Sequence, residues 1–349
     1  MPLELRFRPA AARFALTPYD PPPLSPRQIR GQTVLAAPKH GTEMRAWQQN
    51  AFRGRRWDPR LRLFLDTAEA PPPPPESVAV GNMGVVEVTE VGAEVDGLRP
   101  GDRVYGYMPV REIQTLDARG LRPLGTLPPE DAICIDPAHV AFVAVRDGKV
   151  RLGDFVAVFG LGAIGLMTVQ AARASGARLV IAVDLLATRR DRALALGADI
   201  ALDPAAGDSA LAIKQATDLD GVDVALETSG ADPALRDAIR CIRQCGTVVG
   251  VGWGKGDGRG LYLGEEFHIN RPTIVATQHA EYWGNANRDH PLWNDARTRS
   301  ACHELFAAGL LTSRGVLDPV VSLQEAPDAL DAVLHDPGAV LKVGVRMGN

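Results

Sequence analysis

Three glycines spaced Gly160-x-Gly162-x-x-Gly165 and a carboxylate 19 residues after the last of them, Asp184, carry the clearest chemistry in this chain. The glycines follow the apolar run Phe155-Val-Ala-Val-Phe159 and lead into Ala163-Ile-Gly-Leu-Met167, so they stand where a strand turns into a helix. Gly160 permits the tight turn, Gly162 lets the backbone approach a pyrophosphate, and Gly165 lets the helix lie close on the strand. The first amides of that helix, at Ala163 and Ile164, then face the phosphates. A second apolar strand, Leu179-Val-Ile-Ala-Val183, ends at Asp184, where a carboxylate can accept both ribose hydroxyls of an adenosine. Glycine loop, helix, strand and acid together predict a dinucleotide site.

Two other stretches collect polar groups. Lys39-His-Gly-Thr-Glu43 leaves the apolar strand Thr33-Val-Leu-Ala-Ala37, and loops that leave strands are where sites are commonly built. Residues 279–294 are dense in polar and aromatic side chains just past the last expected sheet strand, which suits either a substrate-facing loop, with Tyr282 and Trp283 as contacts, or a plain surface loop.

The elements that must position these residues fall into two styles. Up to about residue 110, period-2 patterning, glycine bends and turns such as Pro100-Gly-Asp102 predict an all-β module. Within it, residues 46–70, rich in Arg and Trp, and Pro71–Pro75 read as a surface excursion with a stiff spacer. Beyond Arg151-Leu-Gly-Asp154, strands expected at 155–160, 179–184, 199–202, 222–228, 246–252 and 273–278 alternate with helices, which implies a parallel sheet covered on both faces. At 349 residues the chain exceeds one hydrophobic core and suits two domains. A formal net charge of −4 gives no general attraction to nucleic acid or anionic membrane, and neither is expected as a partner. No apolar run approaches the roughly 18 residues that span a bilayer, the N-terminus lacks a secretory pattern, and the four cysteines show no Cys-x-x-Cys spacing, so a cytoplasmic protein is expected.

The order of these parts resembles the medium-chain dehydrogenase/reductase superfamily over nearly the whole chain. The resemblance rests on His40-Gly-Thr-Glu43, Gly81 with Glu90-Val-Gly92, Pro100-Gly-Asp-Arg-Val104, the glycine loop and Ala195-Leu-Gly-Ala-Asp199. It implies an α/β fold: a GroES-like, β-rich catalytic domain over 1–136 and 279–349, and a Rossmann domain, doubly wound around a parallel sheet, over 137–278. It also implies NAD(P)H, a small-molecule substrate and, frequently, a homodimer through the last Rossmann strand. By family position, Gly250, Val251 and Gly252 and the run Ala276-Thr277-Gln278 approach the nicotinamide half, Lys342 reaches the pyrophosphate, and Asn82 meets substrate. Asp184 favours NAD over NADP, with Arg189 and Arg190 beside it as the groups that could accommodate a 2′-phosphate.

The same resemblance departs at the metal. Zinc members place Cys first in a Cys-x-Thr/Ser-Asp run, where this chain has His40-Gly41-Thr42-Glu43. Their Gly-His-Glu is here Gly81-Asn82-Met83, the third ligand position falls at Ile135 or Asp136 with Cys134 adjacent, and the four-cysteine structural lobe is missing between 85 and 130. Zinc takes Cys, His or carboxylate ligands, three of them at a catalytic site, so no bound metal is expected. Metal coordination lowers the pKa of bound water from about 15.7 to about 7, on the order of 12 kcal/mol. A metal-free site must instead pass the proton to a positioned base, worth roughly 10²–10⁴-fold. His40 and Thr42 are the candidates, and Asp136 could orient or replace the histidine; each also has a structural role open to it, with Asp136 capping a helix near Pro137. The leading expectation is a zinc-independent oxidoreductase interconverting a secondary alcohol and a ketone on a sugar, cyclitol or polyol. The alternatives are a zinc-free C=C reductase, an enzyme using tightly bound NAD for transient oxidation, and a cofactor-binding protein without catalysis.

Overall fold

The structure is a computed structural model that describes residues 1–39, 55–66, 75–254, 256–278, 286–336, 338 and 340–348. The chain divides into two compact units, Met1–Cys134 with Leu317–Asn349, and Ile135–Val316. Within the second unit, residues 295–307 form a helix that packs on the helix at 135–147.

In the first unit, β1 (Leu3–Arg8), β2 (Arg13–Pro18), β3 (Gln28–Ala37), β4 (Arg55–Asp58), β5 (Leu63–Asp66), β6 (Val78–Ala79), β7 (Met83–Val91), β8 (Arg103–Tyr107), β9 (Ile113–Asp117) and β10 (Arg122–Pro123) follow one another, then a short α1 (Pro129–Ala132). The long strand β3 alternates in burial over much of its length, with Ile29, Thr33 and Leu35 inside, which is the period of a strand with one face on the core. It pairs antiparallel with β7, and β9 pairs with it on its N-terminal half. Pairing of Ala37 with Met83 brings the exit of β3 beside the head of β7. Of the Arg- and Trp-rich excursion, residues 55–66 form the hairpin β4–β5, closed by the Trp57 and Phe64 rings.

The second unit opens with α2 (Ile135–Asp147), buried along most of its length, and continues through β11 (Phe155–Phe159), α3 (Ala163–Ala174), β12 (Leu179–Val183), α4 (Ala187–Ala195), β13 (Ile200–Leu202), α5 (Ser209–Ala216), β14 (Val222–Glu227), α6 (Asp232–Cys241), β15 (Ile242–Gly250), α7 (Glu266–Asn270), β16 (Thr273–Ala276) and α8 (Asp295–Ala307). The sheet order β13-β12-β11-β14-β15-β16 is parallel throughout and reverses direction about β11. Ligands of such sheets bind outside the strand C-termini at that reversal. The strands are near-continuous apolar runs because helices cover both faces; Ala157, Phe159, Ile181, Ala225 and Val248 lie in one core. The chain then returns to the first unit, where β17 (Val320–Ser322), α9 (Ala326–His335) and β18 (Gly344–Arg346) pack Leu323, Leu330 and Val345 against Leu5 and Phe14, and β18 pairs with β3.

Candidate active site

The glycine loop occupies the point of reversal. Gly160 has φ +85°, and a Cβ on Gly165 would fall 1.9 Å from the Gly160 carbonyl oxygen, so the turn and the close helix approach each require glycine. A Cβ on Gly162 would meet no protein atom within 4 Å, which leaves open space on that side of the loop. Gly162 is the N-cap of α3 and offers no side chain to the first amides of the helix, leaving those of Ala163 and Ile164 for an anion. Asp184 stands at the end of β12 with its carboxylate almost buried. One oxygen accepts from the Leu161 amide at 2.7 Å and the other from the Leu186 amide at 2.9 Å. A carboxylate has about four lone-pair positions, so capacity remains for ribose hydroxyls. Arg189 lies 4.0 Å from the same carboxylate, while Arg190 is tied to the Asp184 and Leu185 carbonyls and to Asp203.

A second loop locks the first, and its key group is absent from the sequence-based site. Glu227 ends β14 at 3% exposure, and its carboxylate accepts from the amides and hydroxyl of Ser229 and Gly230. Its carbonyl accepts from the amides of Val251 and Gly252, and a Cβ on Gly252 would fall 2.2 Å from the Gly230 nitrogen. The Thr228 hydroxyl donates to the Gly160 carbonyl at 2.6 Å. Gly250, Val251 and Gly252 are thus held against the glycine loop through the 227–230 turn. An acid closing a buried apolar strand and followed by Thr-Ser-Gly was the available signal. At the end of β16 the Thr277 amide donates to Gly250, its hydroxyl donates to Asp147 at 2.6 Å, and Gln278 lines a pocket of about 210 Å³ with Asp147 and Arg288.

In the first unit, Asn82 precedes β7 at 7% exposure. Its main chain bonds Ala37 and Met108, and its side-chain nitrogen has no hydrogen-bond partner among the described residues. A buried donor left in this state costs roughly 1–3 kcal/mol, which suits a group that awaits a ligand oxygen. Lys342, expected at the pyrophosphate, is buried here and donates to the carbonyl of Pro38, two residues before His40. Asp136 is 3% exposed and sits inside the first turn of α2, which begins at Ile135; it is therefore not the residue before the helix, as the capping role required. His40, Thr42, Tyr282 and Trp283 lie outside the described residues. The far end of the aromatic loop, from residue 286, is anchored on α2: Trp293 stacks between Arg146 and Arg297, each guanidinium 4.1 Å from the ring centroid.

A parallel sheet with a glycine loop and a terminal acid at its reversal is the arrangement of a dinucleotide-binding α/β domain. The sequence profile described as zinc-binding dehydrogenase matches residues 163–282. D-guloside 3-dehydrogenase of Escherichia coli is 34% identical over 339 residues, covering 95% of this chain and 96% of that one. Sorbitol dehydrogenase of Bacillus subtilis is 31% identical over 62% of this chain and 57% of that one. The crystal structure of 2R,3R-butanediol dehydrogenase from Bacillus subtilis superposes at TM-score 0.77 with 23% identity, over the full length of both chains. The chain belongs to the medium-chain dehydrogenase/reductase superfamily, as an oxidoreductase acting on CH–OH groups. Among the described residues no helix is long and apolar enough to cross a membrane.

Proposed function

We propose that the protein is a zinc-independent, NAD-dependent dehydrogenase that interconverts a secondary alcohol and a ketone on a sugar-, cyclitol- or polyol-type substrate. The observation that carries this reading is the completed cradle after β11, where open space at Gly162, unclaimed helix amides and the Asp184 carboxylate match a diphosphate and a ribose. Bound there, NAD would supply the hydride acceptor. The Ala163 and Ile164 amides would hold its diphosphate, Asp184 its adenosine ribose, and Gly250–Gly252 with Thr277 and Gln278 its nicotinamide end. A carboxylate at this position also disfavours a 2′-phosphate by charge repulsion, and Arg190, already engaged by carbonyls and Asp203, is poorly placed to offset it.

The metal-free part rests on residue chemistry. Asn82 presents a carboxamide where the zinc members have a histidine ligand, and Met83 a thioether where they have its acidic neighbour, and neither matches the Cys, His or carboxylate donors zinc takes. The protein's own groups must then manage the proton. His40 accepts the hydroxyl proton, directly or through the Thr42 hydroxyl, as the carbon loses hydride and the C–O bond becomes a carbonyl. The Asn82 amide, without a hydrogen-bond partner among the described residues, donates to a substrate oxygen. The polar substrate class is supported by the relatives that act on D-guloside and sorbitol. A cytoplasmic homodimer completes the proposal, supported by β16, an edge strand with Ile274 exposed and the apolar Ile269 and Leu263 nearby in the chain. A panel of glycosides, cyclitols and polyols assayed for NADH formation, with NADP⁺ in parallel, tests the reading: turnover with NAD⁺ on one class supports it, and activity confined to NADPH-dependent reduction of conjugated C=C bonds overturns it.

A further inference from the structure

Asp147 occupies a costly position. It is the last residue of α2, where the helix dipole opposes negative charge, and its side chain is only 8% exposed. Burial pushes its carboxyl above the usual range, and the Thr277 hydrogen bond and the Arg288 guanidinium pull it back. The groups that compensate this carboxylate also determine the exit of β16. The Thr277 hydroxyl donates to Asp147 at 2.6 Å, and the Arg288 guanidinium lies 3.6 Å from the same oxygen while donating to the Ala276 carbonyl at 3.0 Å. The Thr277 amide donates to Gly250, so the peptide between Ala276 and Thr277 is held at both its carbonyl and its N–H. The turn that carries Asp147 is held in turn: neighbouring Arg146 pairs with Asp289 and stacks on Trp293. The Gln278 side chain, next along the chain, opens onto the pocket of about 210 Å³.

We propose that Asp147 is a positioning residue for the nicotinamide end of the cofactor site, acting through Thr277 and Arg288 to fix the Ala276–Gln278 main chain. This rests on the reading of NAD as cofactor. ADP-ribose separates the two ideas, because it carries the adenosine diphosphate half that the glycine loop and Asp184 hold and lacks the nicotinamide. Binding of NAD⁺ and of ADP-ribose is measured by calorimetry on the full-length wild type and on Asp147→Ala, Thr277→Val and Thr277→Ser. The expected result is a loss of about tenfold in NAD⁺ affinity for Asp147→Ala and Thr277→Val, with ADP-ribose affinity kept within about twofold and Thr277→Ser close to wild type. Thr277→Val is nearly isosteric and stands if Asp147→Ala fails to fold. Equal weakening of both ligands, or unchanged NAD⁺ affinity in both variants, overturns the proposal; a wild type that binds neither ligand removes the NAD reading and the proposal with it.

Discussion

The cradle after β11 and the exit of β3 are specified in different ways. In the proposed cofactor cradle the groups on offer are mostly backbone ones, and their placement is set by local constraint: a left-handed Gly160, a Gly165 with no room for a Cβ, and a carboxylate that bonds the loop's own Leu161 amide. At the exit of β3, pairing delivers the chain to Pro38 beside Asn82 and Lys342, where the groups proposed for chemistry are side chains. A backbone site tolerates little substitution and binds a common cofactor. A side-chain site can exchange Cys for His or His for Asn and still fold, so chemistry can change while the cofactor stays.

That contrast predicts a separation of effects. The largest falls on turnover: His40→Ala should lower kcat by roughly 10²–10⁴-fold with NAD⁺ affinity unchanged, and a parallel loss of NAD⁺ binding would break the distinction. Next come the two glycines. Gly165→Ala drives a Cβ into the Gly160 carbonyl and should cost roughly 100-fold in NAD⁺ affinity together with a lowered melting temperature. Gly162→Val projects into open space, so calorimetric NAD⁺ affinity should fall while thermal stability holds. Asp184→Ala should weaken NAD⁺ by about tenfold and narrow the preference over NADP⁺, read as the ratio of the two affinities.

The smallest effect is a control remote in the chain from both sites. Asp208 caps α5 through the Leu211 amide, and its carboxyl is held down to about 2, first by the hydrogen bond from Arg240. Its folded pKa lies below the unfolded value, so its contribution is present above about pH 4 and is lost as pH falls toward 2. Asp208→Ala should cost about 1 kcal/mol at neutral pH and flatten the acid limb of a stability titration, with kcat and NAD⁺ affinity unchanged.

These regions also differed in how readily the chain disclosed them. The β11–α3–β12 unit was legible because continuous apolar strands, glycines at a fixed spacing and a terminal acid each have one physical use. The six sheet strands and most helices followed from the same alternation. Boundaries failed where tertiary packing overrode local pattern: α6 passes directly into β15 at Ile242, and Cys245 takes φ +59° at a bulge no propensity foretells. Glu227 and Asp147 were not singled out because an acid at the end of a strand or helix, next to Thr228 in one case and Gly148 in the other, reads as a turn or a surface residue. The Glu227 carboxylate is claimed by its neighbours Ser229 and Gly230, while its carbonyl reaches Val251 and Gly252; the Asp147 partner Thr277 lies far along the chain. Lys342, expected at the pyrophosphate from family position, donates to the Pro38 carbonyl. Asn82 stood out by type, and its burial with an amide that is unsatisfied among the described residues adds what type alone does not convey.

The central claim is that an intact NAD site serves a hydride transfer assisted by side chains and not by zinc. Its most direct test is the rate of NADH formation on the best polyol or glycoside substrate, measured on enzyme of known metal content before and after chelator treatment. The account predicts an undiminished rate from protein with no stoichiometric zinc. Activity abolished by the chelator and restored by added zinc would contradict it.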